Sequence, residues 1–280
     1  MIVAFGDVMC DVVALASGPL ARGSDTPARV ALRPGGSAAN VAAWLGEDGV
    51  LVGRVGDDAF GRAALAGLAA PRVEVDRERP TGTCVVIVEP GGERSMLPDP
   101  GANDASASLP DDLLRAGSHL HVTGYALLRE AARPGALDAI RRARAAGMTV
   151  SVDPSSAALI GAGSFDGLGI DLLLPNADEA AAITGSADPR HAARRLAGAV
   201  ASEVVVKLGP AGALWTDGAE VVRVRAADVS VVDTTGAGDA FAAGLLAARA
   251  CGEPPRAALD AACALAVRAV AHIGARPTDA

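Results

Sequence analysis

From residue 119 onward, short apolar runs rich in β-branched residues alternate with Ala-rich runs of helical period, and few folds accept that order. His119–Thr123 reads as a strand, 134–146 as a helix closed by Gly147, and 148–152 as a strand tipped by Asp153. A strand over 170–174 follows, with Asn176 just past its end. Helical patterns cover 177–184 and 190–196, and 203–208 is again a strand. A hairpin over 213–216 and 220–225 precedes two closing helices, 239–251 and 255–273. Such alternation predicts an α/β domain of three layers, with a mostly parallel sheet covered on both faces. Ligands bind such sheets at the carboxyl ends of the strands.

The first hundred residues break the rule. A strand over 1–6 ends at Asp7, which joins Asp153 and Asn176 at predicted strand ends. Residues 12–33, broken by Gly18, Pro19, Gly23 and Pro27, suit small β-strands. After Gly35 and Gly36 a helix over 38–45 stops at Gly46, and 50–55 and 59–69 read as strand and helix. A strand over 83–89 ends in the turn Pro90-Gly91-Gly92, with 93–97 returning. The two β-rich patches, about 10–33 and 76–101, are expected to pair into one lid on a single domain spanning 1–280.

The chain has 280 residues, half of them hydrophobic, enough for one large core. Aromatics make up only 2%, so Ala, Val and Leu must build it. A net charge of −8 disfavours nucleic acid, whose phosphates need a basic face. No apolar run is long enough to span a bilayer, and the amino end has no signal-peptide layout. Cys10, Cys84, Cys251 and Cys263 form no CxxC pair and read as thiols of a reducing cytosol, so a cytoplasmic protein is expected.

The segment Asp233-Thr234-Thr235-Gly236-Ala237-Gly238-Asp239-Ala240-Phe241 carries the most chemistry. Two glycines let the backbone turn so that successive N–H groups face one space at a helix amino end, which favours an anion. A phosphoryl group in transfer suits that nest. Asp239, in the first turn, either caps the helix or takes a proton from an acceptor hydroxyl. Its helix-end position predicts a carboxyl held in its charged form, hence a weak base. Phe241 stands where GxGxxG needs its third glycine, and Leu208 follows Lys207 where a P-loop needs Ser or Thr. Lys207 is the only lysine, so backbone N–H groups, arginine and a metal must meet phosphate charge.

Together with Gly35-Gly36-Ser37-Ala38-Ala39-Asn40-Val41-Ala42, this segment resembles the two signatures of the ribokinase-like (PfkB) carbohydrate kinase family. Gly53 to Gly61, Asp153-Pro154, Asn176-Ala177-Asp178-Glu179 and Lys207 to Gly212 resemble further family motifs in the same order, almost end to end. The resemblance implies an ATP- and Mg2+-dependent transfer to a hydroxyl of a small sugar-like acceptor. Asp239 would be the catalytic base, with Gly236, Ala237 and Gly238 as the anion hole. Asp7, Asp11, Gly36 and Asn40 would grip the acceptor. Asn176, Glu179, Lys207, Gly209 and Gly212 would serve ATP, Glu179 holding magnesium through water. Asp233 and the Thr235 carbonyl would begin a K+ site, completed by backbone around 269–274. The lid's exposed edge would favour a homodimer.

The Gly35 to Ala42 segment looks closer to fructokinase-like and ketodeoxygluconate-kinase-like members than to the ribokinase form, because Ser37 stands where lysine is usual. A nucleoside kinase and a non-catalytic sensor on the same fold are the alternatives. His119 and His121 share a strand face and read as hydrogen-bonded core residues, and Arg94 as a solvated lid residue.

Overall fold

A computed structural model describes residues 1–91 and 93–277 of the chain. Gly92, in the predicted turn, and the side chain of Arg94 lie outside the described residues.

The amino-terminal half begins with strands β1 (Ile2–Phe5), β2 (Met9–Ala16) and β3 (Ala28–Gly35), then helix α1 (Ser37–Leu45). Strand β4 (Gly49–Gly56), helix α2 (Ala59–Leu65) and strands β5 (Pro71–Asp76), β6 (Gly82–Val88) and β7 (Arg94–Asp99) follow. The central stretch holds β8 (His119–Thr123), α3 (Gly124–Leu128), α4 (Arg133–Ala145), β9 (Thr149–Asp153) and β10 (Ile170–Leu173). The chain continues through α5 (Ala177–Thr184), α6 (Pro189–Leu196), β11 (Ala201–Lys207), β12 (Ala213–Thr216) and β13 (Val221–Val224). Helices α7 (Ala237–Ala250) and α8 (Pro255–Val270) close it.

Nine strands form the main sheet in the order β13-β12-β11-β10-β9-β8-β1-β4-β5. Its strands run parallel from β5 to β11, and only β12 runs against them, paired antiparallel with β11 on one side and β13 on the other. Side chains alternate across a strand, so each strand feeds two cores. Val3, Phe5, Leu120, Val122 and Val150 pack under α4 and α6, against Ala136, Ala139, Ile140 and Leu196. Ile2, Ala4, Leu51, Leu174 and Val205 pack against Val41 of α1, Phe241 and Leu245 of α7 and Leu259 of α8. Small residues let the outer helices close in. A methyl group on Gly244 would stand 3.0 Å from backbone of Ala261 and Ala262.

The second sheet has the order β3-β2-β6-β7. Its strands come from the two predicted patches, with β2 and β6 paired in parallel and β3 and β7 on the edges. Three elements depart from the sequence reading, the short helix α3 among them, which no sequence pattern marks. Residues 71–76, which carry no strand signal, form the edge strand β5 of the main sheet. The helix expected over 59–69 stops at Leu65, where the Ala66 N–H turns back to the carbonyl of Ala63. No helix among the described residues is long and apolar enough to cross a membrane.

Candidate active site

Asp7, Thr123, Asp153 and Lys207 lie at the carboxyl ends of β1, β8, β9 and β11. The amino ends of α1 and α7 close over them. Each of these helices starts at a glycine of positive φ with no side-chain cap, Gly36 (φ 89°) and Gly236 (φ 74°). Both positions are left-handed and sterically tight. A methyl group on Gly36 would stand 2.6 Å from the Asp7 carbonyl, and one on Gly236 would stand 2.6 Å from Ala275.

Asp7 is buried and holds the start of α1. Its Oδ2 accepts from the Ser37 N–H at 2.9 Å, and its Oδ1 from the Thr123 hydroxyl at 2.9 Å. Asn40, also buried, donates from Nδ2 to Oδ2 of Asp239 at 2.8 Å, and the Ser37 hydroxyl donates to Oδ1. These bonds join two of the acceptor-binding candidates, Asp7 (through Ser37) and Asn40, to the candidate base. Arg276 sits behind them, buried, and donates to the carbonyls of Gly35 (3.0 Å) and Ala64 (2.7 Å) and to Oδ1 of Asn40 (3.2 Å).

The charged form expected for Asp239 is corrected by the structure. Burial pushes its carboxyl up to about 7, against the pull of the Ser37 and Asn40 donors, and the Asp153 and Asp7 carboxylates push the same way. Desolvation outweighs the helix end here. Of the three amides expected to form the anion hole, that of Ala237 donates within the turn to the Thr234 carbonyl, at 3.3 Å.

Two cavities flank the Thr234 to Gly238 turn. The larger, about 420 Å3, is lined by Lys207, Gly209, Gly212, Ala237 and Gly238, with Val229, Phe241, Cys263 and Val267 as its apolar wall. The smaller, about 290 Å3, lies against the second sheet between Asp11, Val13, Leu15, Val86 and Val88 on one side and Asp233, Thr235 and Ile273 on the other. Val231 and Thr234 line both. Burial and the Asp7 carboxylate raise Asp11 to about 6, with Arg276 opposing. Asp233 ties its loop to the chain end, accepting from the N–H of Gly274 at 3.0 Å and of Thr235 at 2.9 Å.

Asn176 and Glu179 form a capping box on α5. Oδ1 of Asn176 accepts from the Glu179 N–H, and Oε2 of Glu179 accepts from the Asn176 N–H, both at 2.8 Å. Neither lines either cavity, but Asn176 forms a β-bridge with Lys207. Burial and the Asp153 carboxylate raise Glu179 to about 7, with Lys207 opposing. Among the described residues no group of three or more His, Cys, Asp or Glu side chains is arranged to hold a metal ion.

The family model for pfkB carbohydrate kinases matches residues 1–280. The chain belongs to the pfkB family of carbohydrate kinases. A fructokinase of Klebsiella pneumoniae is 36% identical over 244 residues, covering 80% of this chain and 79% of its own. A 2-dehydro-3-deoxygluconokinase of Thermoproteus tenax is 31% identical over 285 residues, covering 94% and 86%. Among solved structures, an adenosine kinase from Sinorhizobium meliloti superposes with a TM-score of 0.86 at 26% identity, over 99% of this chain and 95% of that one. The protein is thus a PfkB sugar kinase, and the family's chemistry uses ATP.

Ser37, Thr123, Asp153 and Arg276 were not among the predicted site residues of this PfkB kinase. Ser37 follows the glycine pair, and Thr123 and Asp153 end strands as Asp7 does, so position alone was a usable signal. Arg276 stands in a loop with no local pattern.

Proposed function

We propose that this PfkB kinase moves the γ-phosphoryl group of ATP onto a hydroxyl of a small sugar or sugar-like acceptor of the fructose, ketodeoxygluconate or ribose class. One observation carries the reading. A carboxyl raised to about 7 stands in the first turn of α7, beside the turn that divides the two cavities. A base poised near working pH is efficient at accepting a proton. ATP occupies the larger cavity, with Gly209 and Gly212 along it and phosphates toward Gly236, Ala237 and Gly238. The acceptor lies between α1 and the second sheet, near Asp7, Asp11, Gly36 and Asn40.

In the reaction the bond from the γ-phosphorus to the β–γ bridging oxygen of ATP breaks. A bond from the acceptor oxygen to that phosphorus forms, and the hydroxyl proton passes to Asp239. Amides at the start of α7 face the charge that spreads over the phosphoryl oxygens. The second sheet acts as a lid that keeps water from competing with the acceptor.

Magnesium fits the donor set, because it is held by one or two carboxylates, water and substrate phosphates rather than by a protein cage. Glu179 and Asp153, both buried, with the Asp153 carboxylate near enough to raise the proton affinity of Glu179, would hold it and Asn176 would orient Glu179; bound there, it would offset phosphate charge. A monovalent cation such as K+ fits the loop of Asp233 and Thr235, which already adjoins Gly274.

A homodimer is also proposed. The lid face turned away from the cavity carries Val30, Leu32, Val85 and Leu97, 64%, 50%, 37% and 60% exposed. A second copy of this apolar sheet would cover it.

A nucleoside acceptor is the second reading, favoured by one observation. Val13, Leu15, Val86, Val88, Val231, Val232 and Ile273 line the lid cavity. Hydroxyls buried there without partners are costly, whereas a heteroaromatic group is not. Measuring ADP release with a panel of sugars, ketodeoxy acids and nucleosides tests both. Stimulation by one class assigns the acceptor, and release that no polyol or nucleoside stimulates overturns the kinase reading in favour of a sensor.

A further inference from the structure

Nζ of Lys207 pairs with Oδ2 of Asp153 at 2.5 Å, with only 14% and 7% of the two side chains exposed. This is the chain's single lysine, and among the described residues lining the larger cavity it is the only one with a cationic side chain. Its ammonium also stands beside the phosphoryl turn. A methyl group on Gly238 would lie 3.5 Å from Nζ. Asp153 binds one of its three N–H donors, and no other hydrogen bond engages Nζ among the described residues. Two donors are left to face the cavity.

The pair is held rigidly from behind. Oδ1 of Asp153 accepts from the Ser155 N–H at 3.1 Å, and the Ser155 hydroxyl accepts from the Gly124 N–H at 2.9 Å. Ser155 is the only described residue besides glycine with positive φ (67°), a conformation a serine keeps only when its surroundings demand it. The backbone of Lys207 is fixed too, its N–H donating to the Pro175 carbonyl at 2.8 Å. A lone ammonium with four rotatable bonds would otherwise wander. Here a carboxylate on the neighbouring part of the sheet pins it at one place.

The charges around it show why it is needed. Asp153 pairs with it directly, and Asp239 follows Gly238, whose added methyl group would lie 3.5 Å from Nζ. Without the ammonium, a triphosphate in the larger cavity would meet the Asp228 carboxylate and no basic side chain among the described lining residues. We propose that Lys207 is a catalytic residue whose ammonium binds the phosphoryl group in transfer, and that Asp153 is its positioning residue. The backbone amides of the α7 turn and this ammonium then approach the same phosphoryl oxygens from two sides. This role belongs to the side chain and adds to the backbone lining of ATP proposed above.

The inference rests on the kinase reading, but its test does not require the acceptor. ADP with aluminium fluoride and magnesium imitates the phosphoryl group in transfer. Its affinity and that of ADP alone are measured by calorimetry on the wild type, Lys207→Met, Lys207→Arg and Asp153→Asn, beside their melting temperatures. The wild type should bind the mimic at least about tenfold more tightly than ADP. Lys207→Met should keep ADP affinity within about threefold and lose that gain, Lys207→Arg should recover part of it, and Asp153→Asn should fall between. With an accepted substrate, kcat of Lys207→Met should drop about 10²–10³-fold, the loss typical of one oxyanion-hole donor, at little change in the KM for ATP. A Lys207→Met protein that keeps the mimic's advantage overturns the proposal. So does one that loses ADP affinity and melting temperature together, which marks a structural role. If no polyol or nucleoside is phosphorylated and the wild type binds the mimic no better than ADP, the kinase reading fails and this inference fails with it; a wild-type advantage for the mimic that Lys207→Met retains overturns this inference alone.

Discussion

The side-chain amide of Asn40, at the start of one helix, donates to the carboxyl of Asp239, at the start of another, across 2.8 Å. The two residues are 199 positions apart, and their contact ties the start of α1 to the start of α7. A hydrogen bond donated to a carboxylate favours its charged form. Asn40→Ala should therefore raise the proton affinity of Asp239 further. The acid limb of kcat/KM, expected at about pH 7 in the wild type, should move to higher pH. An unmoved limb would show that the contact does not tune the base.

Asp239→Asn should lower kcat by about 10²–10⁴-fold, the range of a lost general base, while ATP still binds. The same variant should be more stable at pH 8. Because the folded protein binds the Asp239 proton more tightly than the unfolded chain, this group's favourable contribution is complete below about pH 4 and is lost as pH rises through about 7. Removing the charge removes that loss. Thermal melts of both proteins at pH 5 and pH 8 check it: the difference should appear at the higher pH only.

Arg276→Met should cost about 3 kcal/mol of stability, since it strips the partners from the buried carbonyls of Gly35 and Ala64. It should also raise the KM for the acceptor more than that for ATP, because Arg276 also holds Oδ1 of Asn40, a residue proposed to bind the acceptor. Urea unfolding and initial rates measure the two effects. Equal rises in both KM values would deny the link to α1.

Leu32→Glu with Leu97→Lys should yield a monomer by sedimentation if the outer lid face pairs two copies. A wild type that already sediments as a monomer at micromolar concentration would remove that proposal.

Alternation after residue 119 was legible because each strand there is a short apolar run with a helix-period segment behind it. Strand β5 was not, since Pro71-Arg72-Val73-Glu74-Val75-Asp76 opens with proline and intersperses charges, as a sheet edge permits. The five residues of α3 are too few to show a period. In the site, the glycine turns announced the two helix starts. The proton affinity of Asp239 was hidden, because a sequence reveals the helix end beside a carboxyl but not how much protein surrounds it. Arg276 was hidden for a different reason: it reaches 236 positions back along the chain to Asn40, and only the closed fold reveals that contact.

Val231 and Thr234 face both chambers, so one short stretch of chain is wall to each. A shared wall cannot shift for one occupant without shifting for the other. If the two proposed molecules occupy the chambers, the tightness with which the second is held would depend on that stretch as well as on its own chamber.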